Sequence, residues 1–328
     1  MRLRLFLVFL LFWTVPGLGT AFAGTRSNLD EARTAFQHGK ANAALRALDA
    51  AIHQNSNDAA AWNLQCRVYL AQGRSDDAVA SCQQAVQLAP SSMNHLWLAR
   101  ALGEKASQAS MMSAYKTAKL ARAEFESAVS LDGNNREALS DLGQYYVEAP
   151  RILGGGSDKA EDIANRLSRI DPARADELRA RIAESKKDYA AAEQALRAKI
   201  AVSHASPEAA SQAWMDLGSF YQRRGRWSDM LAALKKGAAT NTAHGPALVD
   251  GASTLIVAKR ETALAEQWLR QYLNSNALSE TAPAFAVHAE LGDLLKKQGD
   301  TSGADREFAA ARALSETWAE TATVNTGD

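Results

Sequence analysis

The residues able to do chemistry are few and scattered. The six histidines, His38, His53, His95, His204, His244 and His288, form no His-Glu-x-x-His zinc motif, and no serine sits in the Gly-x-Ser-x-Gly turn that presents a nucleophile. Carboxylate pairs such as Asp76-Asp77 fall where a helix should begin, and there they complement its dipole. No catalytic residue, cofactor site or metal site is expected, so the chain reads as a non-enzyme. An active site assembled from distant residues is kept as a second alternative.

Two local features deserve a chemical reading. Cys66 and Cys82 are the only cysteines, an even pair whose spacing is not that of a zinc site, so they are a disulfide candidate. Set on antiparallel helices either side of a turn at Gly73, they would be offset by about 3 Å along the axis. A bridge needs Cα atoms about 4.4–6.8 Å apart, whereas packed helix axes lie about 8–10 Å apart. A disulfide and two buried thiols therefore both remain open.

The second feature is Gly154-Gly155-Gly156-Ser157-Asp158-Lys159. Backbone N–H groups of such a turn entering a helix can cradle an anion, which makes Gly154, Gly155, Gly156, Ser157 and Lys159 a candidate anion or partner loop. The spacing is not that of a phosphate-binding loop. The favoured reading is structural: Ser157 or Asp158 caps the following helix, and Asp158 with Glu161 has capping-box spacing.

The elements that must hold these residues are helices. Alanine is abundant and aromatics make up only 7% of the chain, a balance that favours close-packed helices over sheets. A pattern starts at Trp62 and runs through Cys66, Tyr69, Gly73, Ala78, Cys82, Ala85 and Pro90. Small residues there let two helices approach, large ones fill the space between them, glycine allows the turn, and proline stops the second helix. The spacing returns at Leu139, Leu142, Gly143 and Tyr146, at Trp214, Leu217, Gly218 and Tyr221, and at Leu291, Gly292, Leu295 and Gly299. Weaker copies span 32–51, 96–128, 180–196 and 248–272.

This pattern resembles the tetratricopeptide repeat, and about eight hairpins of about 34 residues fill the chain after its first 23 residues. The resemblance implies an all-α, right-handed solenoid over residues 24–313 whose first helices line a concave groove. Two copies are longer. An expanded hairpin over 93–133 lacks glycine and proline in its extra segment, so longer helices are expected. An insertion at 149–158 holds a proline and three glycines, so it must be a loop.

Groove positions carried over from the family fall on Asn63, Arg67, Trp97, Ser140, Gln144, Met215, Ser219, Gln222, Asp293 and Lys296. Such a lining implies a peptide or protein partner, and Asn63 with Arg67 would hold its backbone or carboxylate. A scaffold or adaptor is the leading expectation, and a solute-binding accessory of a transport or secretion system the alternative.

The N-terminus adds an address. Arg2 and Arg4, an apolar stretch over residues 5–15, Pro16-Gly17 and Ala21-Phe22-Ala23 have the layout of a secretory signal. The stretch is 11 residues long, short of the roughly 20 that cross a bilayer. Removal after residue 23 is expected, giving a periplasmic or secreted protein with no stable membrane insertion. The remaining charge is near −2, which attracts no nucleic acid, and the cluster Arg223-Arg224-Gly225-Arg226 reads as a solvated turn. The polar tail 314–328 is expected to fray.

Overall fold

The structure is a computed structural model that describes residues 18–316, with side chains from residue 27 onward. The expected signal segment therefore lies largely outside the described residues. The first helix begins at Leu18 and runs through the expected cleavage region at Ala23-Gly24.

Sixteen α-helices among the described residues pair in chain order into eight hairpins. These are α1 (Leu18–Gln37) with α2 (Ala41–Gln54), α3 (Ala59–Ala71) with α4 (Ser75–Leu88), α5 (Ser92–Ser107) with α6 (Met111–Leu131), and α7 (Arg136–Glu148) with α8 (Ser157–Leu167). They continue as α9 (Pro172–Ser185) with α10 (Tyr189–Val202), α11 (Pro207–Arg223) with α12 (Trp227–Thr240), α13 (Ala247–Ala258) with α14 (Thr262–Leu273), and α15 (Ala284–Gln298) with α16 (Thr301–Leu314). No strand occurs among the described residues, only one bridge between Ser279 and Ala282. The chain is an all-α solenoid of helical hairpins.

Local chemistry explains where several of the helices start and turn. Asp58, Asn135, Asp171, Asp188, Ser206 and Asp300 accept backbone N–H groups at helix starts, and Pro172 and Pro207 take first positions where no N–H is needed. In several hairpins the turn between the paired helices uses a left-handed residue, glycine at Gly73, Gly225 and Gly299 and lysine at Lys187 and Lys259. In the third hairpin the helices are 16 and 21 residues long, which accommodates the extra segment. Residues 149–156 form the expected irregular loop around a short 3-10 turn at Arg151–Leu153.

Each hairpin covers its apolar stripe by stacking on the next, and the last also returns to the first. Phe285 of α15 is fully buried in one cluster with Phe36, Leu48 and Leu64 of the first three helices. The turn residue Gly39, at φ +68°, lies so close to α15 that a Cβ there would sit 2.3 Å from the Ala284 nitrogen. Gln72 Nε2 donates to Ser315 Oγ at 2.9 Å, and the Glu316 N–H donates to Asn42 Oδ1 at 3.2 Å. The spine therefore closes into a ring. Ser315, placed in the fraying tail by sequence, is fully buried by this closure, and the rest of that tail lies outside the described residues beyond Glu316.

Candidate binding site in the centre of the ring

The inner side of α3 presents Arg67, and the inner side of α5 presents Trp97 and, one turn on, Arg100. The two guanidiniums flank the indole, with their carbons 5.0 Å and 4.4 Å from its ring centre. Arg100 is held by the neighbouring hairpin: its Nε donates to Asp141 at 2.6 Å and its Nη2 to Glu137 at 3.1 Å. Arg67 is held from much further away, by an ion pair with Glu280. Its Nε is buried with no hydrogen-bond partner among the described residues, so the guanidinium is only partly satisfied.

Glu280 belongs to the connection between α14 and α15, residues 274–283, which enters the ring. Ser279 and Ala282 bridge to each other, which leaves Glu280 and Thr281 as the tip of a finger. The buried Tyr272 hydroxyl donates to the Ala282 carbonyl at 2.7 Å and accepts the Ser279 N–H at 3.0 Å. The tip borders two cavities. One, of about 490 Å³, is lined by Phe36, Arg67, Trp97 and Arg100; the other, of about 780 Å³, by Gln37, Glu208, Gln212 and Asn241. Arg174 reaches both.

A polar ladder continues round the far side of the ring. Lys199 Nζ, its side chain 8% exposed, donates to Glu177 at 2.7 Å and Asp216 at 2.5 Å. Burial opposes its charge, but the attraction of Asp216 and Glu177 prevails and raises its pKa. Glu177 is held below its ordinary value because Lys199 and Arg181 outweigh its own desolvation. Gln212 joins Asp216 to Asp250, and Ser253 donates to Glu290. Asp250 and Glu290 are both pushed up, chiefly by burial and further by neighbouring carboxylates. Among the described residues no group of three or more His, Cys, Asp or Glu could hold a metal ion.

The positions expected in the groove divide. Arg67 and Trp97 come together at the inner face. Asn63 does not: it is buried, and its Nδ2 donates to Asn94 Oδ1 at 2.9 Å, because α5 packs over this turn of α3. Met215 is likewise fully buried, against Gly237 and Gly251 of the adjoining helices. Ser219 bonds Thr254, Gln144 donates to Glu148, and Ser140, Gln222 and Asp293 are half-buried on their helices, while Lys296 is exposed. Arg100 and Glu280 were missed. The first sits one turn after Trp97, and the second was marked by the unusual stretch of non-helical residues before Pro283.

In the glycine loop the three glycine N–H groups are already engaged within the chain. The N–H groups of Gly154, Gly155 and Gly156 donate to the carbonyls of Arg151, Pro150 and Tyr146. Lys159 Nζ donates to the Gly154 carbonyl at 2.9 Å. The expected cap is also absent, since Ser157 is already the first helical residue and Gly156 at the cap position brings no side chain. Around Gly225 the arginines are occupied as well: Arg223 pairs with Glu184, Arg224 lies over Tyr189, and Arg226 pairs with Glu193 and Asp229. Of the two states open for the cysteines, the structure has the disulfide, with Cα atoms 5.3 Å apart. Beside the bridge, Ala78 is fully buried in one cluster with Cys66 and Cys82, and places only a methyl group where α3 and α4 meet.

Residues 29–92 match the family model of the tetratricopeptide repeat. No curated protein matches the chain. Among solved structures it is similar to MamA protein, at 20% identity and TM-score 0.41 over 55% of this chain and 92% of that one. It is similar to YrrB, described as a TPR protein with an unusual peptide-binding site, at 19% and 0.41 over 56% and 93%. A tetratricopeptide repeat protein from Parabacteroides merdae ATCC 43184 aligns at 14% and 0.46 over 84% and 98%. The family match therefore spans the first two hairpins, and the described residues build the same kind of helical hairpin eight times in succession.

Proposed function

We propose that this protein is an exported, non-enzymatic interaction scaffold that takes a peptide or a segment of a partner protein on the inner face of its ring. The observation that carries this reading is Trp97 flanked by Arg67 and Arg100 beside a cavity of about 490 Å³. An aromatic face with two guanidiniums suits a polar chain segment, whose backbone and carboxylates it can hold. The Cys66–Cys82 bridge is in keeping with an oxidising compartment, and so supports export.

Cross-linking in the native envelope fraction, followed by mass spectrometry, tests the reading. A specific protein should be captured, and Trp97→Ala should lose it while the variant still folds. Capture that ignores Trp97, or none at all, contradicts the proposal. Mass spectrometry of the mature chain should place its N-terminus at Gly24. The two cavities also favour a second reading, a solute-binding accessory, which would show as a rise in melting temperature with small ligands.

A further inference from the structure

The connections between successive hairpins are short, for example residues 55–58, 89–91 and 168–171, whereas 274–283 is ten residues long. That exceeds the roughly 2–8 residues usual between packed helices. It is built rather than loose: Tyr272 pins both sides of the turn through one buried hydroxyl, and Pro283 leads directly into α15. The device presents one charged side chain, Glu280, and delivers it to Arg67.

We propose that Glu280 is an internal ligand: the finger occupies the Arg67–Trp97 site until an acidic, extended segment of a partner displaces it. This rests on the inner-face reading above and adds to it the partner's charge and the means of regulation. Charge complementarity supports it. Arg100 draws its two carboxylates from the adjacent helix α7, but Arg67 has no such neighbour and takes its carboxylate from the finger. The buried, unpartnered Nε of Arg67 leaves a donor that a better-placed carboxylate could use. A partly exposed ion pair is weak, so a segment offering several carboxylates to Arg67 and nearby Arg174 can compete with it.

Fluorescence polarisation with labelled hexaglutamate, against labelled hexaglutamine, tests the proposal on the purified protein. Glu280→Ala should bind hexaglutamate about three- to sixfold more tightly than the unaltered protein, because the site is no longer shared with the finger. Adding Arg67→Ala should abolish the gain, and hexaglutamine should bind neither. Circular dichroism checks folding, and if Glu280→Ala does not fold, Glu280→Gln keeps the size, drops the charge and decides the matter. No gain in affinity, or a gain that survives Arg67→Ala, overturns the proposal. If partner capture still depends on Trp97 while no gain is seen, the internal ligand is wrong and the scaffold reading stands; if neither is seen, both fall.

Discussion

Arg67 and Glu280 lie 213 residues apart in the chain and form an ion pair at the centre of the ring. One is on the second hairpin and the other just ahead of the eighth, so the contact exists only because the solenoid closes. Closure in turn depends on Phe285 entering the core of the first hairpins. The candidate site and the ring are thus one structural fact.

Closure should be sensitive to a single methyl group. Gly39 and Gly73 are both left-handed turn residues, at φ +68° and +72°, but a Cβ at Gly39 would strike Ala284 whereas one at Gly73 meets nothing within 4 Å. Gly73→Ala should cost about 1 kcal/mol of backbone strain alone. Gly39→Ala should cost about 2–3 kcal/mol and enlarge the radius of gyration by small-angle scattering. Equal effects of the two variants would mean that the first turn does not bear on α15.

Reduction should weaken the second hairpin. The Cys66–Cys82 bridge spans a separation of 16 residues, for which loop closure contributes about 3 kcal/mol. Urea unfolding with and without dithiothreitol should show the loss, and Cys66→Ala/Cys82→Ala should unfold early in both. Identical curves for the unaltered protein would show that the bridge contributes nothing.

The hairpins themselves were legible in the sequence, because antiparallel helices can touch only where residues such as Cys66, Ala78 and Gly218 are small, and that requirement recurs at fixed spacing. The inner face was legible only in part. Asn63 and Arg67 share a stripe one turn apart, yet the way α5 lies over α3 buries the first and spares the second. Met215 was lost for the same reason. Nothing local marks the contact of α15 with α1, since closure is set by the summed rotation of eight hairpins. The finger left a trace, a long non-helical connection ending at Pro283, but its target at Arg67 is a property of the closed ring.

Lys199 should be indispensable to the far side of the ring. Removing it with Lys199→Ala leaves Glu177 and Asp216 without their shared cation and should cost about 3 kcal/mol at neutral pH. Glu177 has a lowered native pKa, so its stabilising contribution is present above its ordinary value of 4.5 and is lost as pH falls through the native value. The gap between protein and variant should therefore narrow in acid. A gap unchanged between pH 7 and pH 3 by thermal unfolding would contradict this coupling.

Asp250 and Glu290 should behave in the opposite sense. Their native pKa values lie above the ordinary 3.8 and 4.5, so their favourable contribution is complete below those values and disappears as pH rises through the native ones. Asp250→Asn and Glu290→Gln keep an acceptor for Gln212 and Ser253 but carry no charge. Each should match the unaltered protein near pH 3.5 and melt higher at pH 7. A variant less stable at pH 7 than at pH 3.5, relative to the unaltered protein, would reverse the assignment.

The contact between Arg67 and Glu280 can be measured directly by a double-mutant cycle of Arg67→Ala, Glu280→Ala and the pair, followed by urea unfolding. With side chains 24% and 30% exposed, the two should show a coupling of about 0.5–1 kcal/mol. Strictly additive effects would mean that the two residues do not meet, and would contradict a closed ring.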